Sequence, residues 1–145
     1  LGTMEEKGYF LAKLDRNGNW LWASSPGRGK ISIETFNLLS SGNIGLVGSY
    51  EGLAEMGESN MFAETGKEYY YARLNPENGE FIAVEPMQAK NLDLQVFQLE
   101  RNFRVMNDGV IMMAGSLEGQ STLGTEVIKS KGKLNLIIAK YKGGL

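Results

Sequence analysis

Four groups of residues in this 145-residue chain have types and spacings suited to chemistry. Asp15, Asn17 and Asn19 set oxygen ligands at alternate positions around Gly18, as the first half of a calcium loop does. The twelfth position, where a bidentate glutamate belongs, is Pro26. A hairpin turn calls for the same residue types, and a turn is the expected role. Glu51, Glu55, Glu58 and Glu64 fall close together. They raise glycoside hydrolysis by a carboxylate pair, against the plainer reading of a solvated acidic loop. Trp20 and Trp22, two apart in a strand, would share a face and either stack on sugar rings or fill the space between packed sheets. Lys129, Lys131, Lys133, Lys140 and Lys142 form a basic stretch. Only Tyr141 interleaves with it, and the chain carries a net charge of −2, so no nucleic-acid partner is expected. Gly27-Arg28-Gly29-Lys30 lacks the spacing of a phosphate loop.

What is missing narrows the chemistry further. The chain has no histidine and no cysteine, which removes the Ser-His-Asp triad, thiol catalysis, disulfides and Cys-type zinc sites. No metal site, cofactor or catalytic residue is expected, and the chain reads as non-enzymatic. Hydrophobic residues at 42% and charged residues at 22% fit a globular protein with a packed core. No apolar run approaches the ~18 residues of a membrane helix, so no membrane span is expected.

The elements that would position these residues repeat along the chain. Tyr9-Phe-Leu-Ala-Lys-Leu-Asp15 lies over Tyr69-Tyr-Tyr-Ala-Arg-Leu-Asn75, 60 residues on. Leu136-Ile-Ile-Ala-Lys-Tyr-Lys142 is a third copy, a further 67 on, and each copy sets a base behind an alanine. A second motif runs through Gly42, Gly48 and Ser49 and returns at Gly109, Gly115 and Ser116, again with an offset of 67 between Gly48 and Gly115. Glycine inside an apolar strand marks the close approach of another backbone. Turn signals lie at Asn17-Gly18, Gly42-Asn43, Asn78-Gly79 and Asp108-Gly109 between β-rich runs, and predict antiparallel hairpins there. No segment has a sustained 3.6-residue period; 51–62 is interrupted by Gly52 and Gly57 and reads as a loop.

A four-stranded unit of about 60 residues cannot bury both faces alone, whereas stacked neighbours can. The fold expected is therefore all-β, with antiparallel β-propeller-type blades. Strands A to D of the complete blade fall at 31–39, 43–50, 69–75 and 79–85. Residues 1–30 form the end of one blade (strands C and D), 31–90 a complete blade, and 91–145 a partial blade with A at 94–105, B at 109–117 and C at 136–142. That is about two to two and a half blades, expected to be part of a larger propeller; a head-to-tail ring of copies and an open sandwich are the other arrangements.

Ala12-Lys13-Leu14-Asp15, Gly18-Asn19, Trp22, and then Gly42-Asn43 with Leu46-Val47-Gly48-Ser49-Tyr50 resemble the bacterial β-propeller repeat known as the SBBP type. The likeness covers nearly the whole chain in two rounds. The second round is looser: Val84 or Glu85 stands near the place of Trp22, and Asp108-Gly109 replaces Gly42-Asn43. The resemblance implies a secreted or cell-surface bacterial protein, often adhesive, with no catalytic residues to carry over.

The function expected is a structural or interaction module for protein–protein contact or adhesion. Its partner would be a protein or the remaining blades of the same propeller, with a glycan as the other ligand class. The alternatives are a glycan-binding propeller lectin, for which Trp20 and Trp22 are the candidates, and a fragment of a propeller glycoside hydrolase. The B–C connections at 51–68 and 118–135 would be long loops, the first acidic and the second ending basic, and function concentrates on such loops. Met56, Met61 and Phe62 are the candidate binding residues.

Overall fold

The computed structural model describes residues 8–90, 102–117, 119–132 and 135–144. In chain order the strands are β1 (Leu11–Leu14), β2 (Trp20–Ser24), β3 (Arg28–Leu38), β4 (Ile44–Met56), β5 (Ser59–Leu74), β6 (Phe81–Pro86), β7 (Ala89–Lys90), β8 (Phe103–Val105), β9 (Ile111–Leu117), β10 (Gln120–Leu123), β11 (Glu126–Lys129) and β12 (Asn135–Tyr141). There is no helix among the described residues, so none is long and apolar enough to cross a membrane. The strands form four antiparallel sheets: a first sheet β1-β2, a central sheet β3-β4-β5-β6, a third sheet β8-β9-β12, and a side sheet β7-β10-β11. None closes on itself.

The turns form where glycine signals place them. Gly18, Gly42, Gly79 and Gly109 all take positive φ, between 74° and 88°. Three of the four turns share one bonding pattern. The N–H of Asp15, Leu39 and Met106 donates to the carbonyl four residues on, and the N–H of Gly18, Gly42 and Gly109 donates back to those residues. This is a type I turn closed by a left-handed glycine.

The central sheet is buried on both faces because its strands are apolar at successive positions. Along β5, Tyr70, Ala72 and Leu74 face one core, with Leu46 and Tyr50 of β4 and with Leu11 of the first sheet; Trp22 packs at its margin. Tyr69 and Tyr71 face the other core, with Val47 and with Phe103, Val105, Ile111 and Met113 of the third sheet. Full burial of one such side chain contributes about 1.5–3 kcal/mol. The sheets are therefore stacked, first on central on third. Gly48 makes room within the central sheet, since a Cβ there would collide with the Ser32 carbonyl of β3 and with the Tyr70 phenol that donates to it. Gly48 stands opposite Tyr70, and Gly115, 67 residues on, stands opposite Ile137, so the two glycines hold equivalent places.

Two expected loops are strands. Residues 51–68 belong to β4 and β5, which continue as one long hairpin that folds back over the core. Gly52 lies at a register shift next to Glu51, and Gly57 (φ +57°) turns the chain over two residues, pairing Met56 with Ser59. Residues 118–135 likewise contain β10 and β11, turned at Gly124 (φ +61°) with Leu123 opposite Glu126. The expected strand at 94–105 is described only over Phe103–Val105; its earlier part lies outside the described residues.

Candidate functional site

The long hairpin creates a cleft. β6 pairs with β5 only over Tyr70–Leu74, and the far end of the hairpin folds back over β6: the Ser59 hydroxyl donates to the Val84 carbonyl at 3.4 Å, and Gly57 lies against Phe81. After β6 the Met87 N–H donates to the Tyr69 carbonyl at 2.8 Å, and Gln88 takes φ +50°, the one non-glycine residue with positive φ among the described residues. That uncommon conformation swings the chain away into β7, which pairs with β10. A space of about 660 Å³ opens between the folded-back strand, the end of β6 and the tip of β10. Ligand clefts commonly fall in this range.

The cleft mixes apolar and polar groups. Met61, Phe62, Val84 and Pro86 supply apolar surface; Ser59, Asn60, Glu68, Gln88 and Thr122 supply hydrogen-bonding groups. In its wall the Tyr50 hydroxyl donates to Glu68 Oε2 at 3.0 Å. Burial, and then the Glu68 carboxylate, push the Tyr50 phenol well above its usual range, so it remains a donor. An exposed ring beside a carboxylate and two amides can hold a polar ligand with an apolar face.

The candidate residues separate. Phe62 is 66% exposed and lies on the cleft. Met56 and Met61 are buried in the core between the first and central sheets, shielded from solvent. They alternate with exposed residues along a strand pair, with Met61 opposite Ala54 and Phe62 opposite Leu53. The loop reading had hidden that alternation.

Trp20 and Trp22 do not share a face. Lys13 stands opposite Trp22 but Leu14 opposite Trp20, so Leu21 is an extra residue in β2 and reverses the alternation. Trp22 turns to the central sheet, where its Nε1–H donates to the Pro76 carbonyl at 3.0 Å. Trp20 faces the other way and is 65% exposed. The same shift recurs in β6, where Ala83, opposite Arg73, takes the place of Trp22.

Asp15 is a turn residue. Its Oδ1 accepts the Asn17 and Asn19 N–H groups at 2.8 and 2.9 Å, and its Oδ2 accepts the Asn19 side-chain amide at 2.9 Å. The Asn19 side chain, with these N–H groups, holds its carboxyl below the usual range. Glu51 pairs with Lys30 at 2.6 Å.

No family model, curated protein or solved structure matches the chain. The geometry of the chain itself carries the functional reading.

Turn contacts join the sheets. Lys13 Nζ donates to the Pro76 carbonyl at 2.8 Å, from the first sheet to the turn of the central one. Asn37 Nδ2 donates to the Val105 carbonyl at 3.0 Å, and the Ser40 N–H to the Asn107 carbonyl at 2.8 Å, from the central sheet to the turn of the third. Among the described residues the outermost faces have no such cover. Phe10, Leu14 and Trp20 are exposed on the first sheet, and Leu136 and Ile138 on the third.

Proposed function

We propose that the chain is a non-enzymatic structural and interaction module built from propeller-type blades of the kind the SBBP-like motifs suggest, working at a bacterial surface or outside the cell. One observation carries the reading. Leu136 and Ile138 occupy in the third sheet the positions that Tyr69 and Tyr71 occupy in the central one, where another sheet covers them. Paired exposed apolar residues on a terminal sheet are contact surface. An environment-sensitive apolar dye tests this. At high dilution the chain should bind dye, and Leu136→Ser with Ile138→Ser should lower the signal without lowering the melting temperature. Absence of dye binding at high dilution would rule the reading out.

The cleft favours a second reading, glycan binding through Phe62, Asn60, Gln88 and Glu68. A glycan array tests it, with Phe62→Ala expected to abolish any specific signal.

A further inference from the structure

The two sheet boundaries inside the chain correspond in part: Leu46 and Leu74 lie in the first core where Met113 and Tyr141 lie in the second, while Phe36 and Leu38 are exposed where Phe103 and Val105 are buried. Together they define what a third would need. On the side that faces onward, the central sheet presents Val47, Tyr69 and Tyr71 to the third sheet. The same positions of the third sheet hold Ala114, Leu136 and Ile138. The register matches them: Tyr69 and Tyr71 stand opposite Ser49 and Val47, and Leu136 and Ile138 stand opposite Ser116 and Ala114. Leu136 is 62% exposed and Ile138 69%.

The receiving side is equally defined. The central sheet meets the first with Tyr70, Leu74 and, at the margin, Phe81. Phe10, Leu14 and Trp20 hold those positions in the first sheet, where Leu14 pairs with Trp20 as Leu74 pairs with Phe81. All three are exposed. The polar fastening has a counterpart too. Lys13 reaches from the first sheet to the Pro76 carbonyl of the next turn. Lys140 holds the place of Lys13 in β12 and is exposed. The place of Pro76 in the first turn is Arg16, beside the Asp15 carboxylate.

We propose that the outer face of β12 receives the outer face of the β1–β2 hairpin from a second copy of this chain, head to tail. The proposal rests on reading the end faces as contact surfaces, and it names their occupant. The contact is heterologous: Leu136 and Ile138 of one copy meet Phe10, Leu14 and Trp20 of the next, with Lys140 over the Asp15–Asn19 turn. Copies therefore add in one direction, into a ring or a filament.

Sedimentation velocity over a concentration series tests this, with Ile138→Glu blocking one face and Trp20→Glu the other. Both side chains are exposed, so both variants should fold; Leu136→Glu is the second variant for the β12 face, and circular dichroism checks each. The wild-type chain should gain mass with concentration. Each variant alone should associate roughly tenfold or more weakly, because a charge would have to leave water. An equimolar mixture of Ile138→Glu and Trp20→Glu should form dimers and stop there, since one intact face of each kind remains. Association that Ile138→Glu abolishes and Trp20→Glu leaves intact would mean like faces meet, and overturns the head-to-tail arrangement. A chain that stays monomeric while binding dye at high dilution overturns self-association but leaves the end faces as contact surfaces for another partner.

Discussion

The hairpin tips at Gly57-Glu58 and Gly124-Thr125 stand 67 residues apart and share one construction. Each has a positive-φ glycine at the first turn position, and each closes on a directly opposed pair, Met56–Ser59 or Leu123–Glu126. They differ in what lies beneath them. The first hairpin continues the central sheet and buries Ala54, Met56, Met61 and Ala63 in its core. The second leaves the third sheet to pair with β7; Ser121 is buried there, but Leu123 and Ile128 are only half-buried. The glycines specify a hairpin, and the residues between them decide whether it docks.

The comparison can be tested by truncation. Met56→Ala should cost about 2–5 kcal/mol, since a fully buried methionine leaves a cavity. Leu123→Ala should cost less than half as much. Urea unfolding of the two variants measures both, and equal costs would mean that the second hairpin is docked as firmly as the first.

A smaller effect separates the turns themselves. A side chain at positive φ costs of order 1–2 kcal/mol, so Gly57→Ala and Gly124→Ala should both destabilise. Gly57→Ala should cost more, because its Cβ would press on Phe81 Cβ at 3.0 Å, whereas nothing lies within 4 Å of a Cβ at Gly124. The difference in denaturation midpoint reads the docking of the tip alone.

Alkali should distinguish the bases of the hairpins, where Tyr50 stands in the first and Leu117, 67 residues on, in the second. Burial and then Glu68 raise the folded-state pKa of Tyr50 above its ordinary value of 10.0. A raised pKa gives stability that is complete below the unfolded value and is lost as pH rises from there through the folded value. Stability should therefore begin to fall near pH 10, and Tyr50→Phe should flatten the fall. Tyr70 and Tyr141, raised chiefly by burial, should keep part of the slope. Absorbance of the phenolate during alkaline unfolding follows it.

The smallest effect concerns Lys30 and Glu51 at the base of the first hairpin, both well exposed. The Lys30 hydrogen bond lowers the Glu51 pKa, so any stability it gives is present at neutral pH and lost as pH falls through that lowered value. Lys30→Met should shift the melting temperature little, and added salt should erase the shift.

Much of this was legible in the sequence. The four turns lie at their glycines, and the apolar run Tyr69-Tyr70-Tyr71 is buried on both faces of a stacked sheet. The long hairpin was not legible as such, because Gly52 and Gly57 read as interruptions. The signal that identifies them was nonetheless present: the offset of 67 links Gly52 to Gly119 and Gly57 to Gly124, so the repeat continues to the hairpin tips. The opposite faces of Trp20 and Trp22 could not be read from a period of two, since one extra residue in a strand leaves the composition of the strand unchanged and inverts everything beyond it. The cleft depends on where the folded-back hairpin meets β6, a contact that neither strand records alone.

The stacking also has a consequence for the order in which the chain acquires its structure. Within the central sheet every pairing joins neighbours in sequence through a short turn, and such hairpins form in about 1–10 μs. The hydrogen bonds between sheets join residues separated by 54 to 70 positions, and closing those distances is the slower event. The central sheet, covered on both sides, should exchange its amide protons last, and the first and third sheets should open before it, as the ends of a stack do.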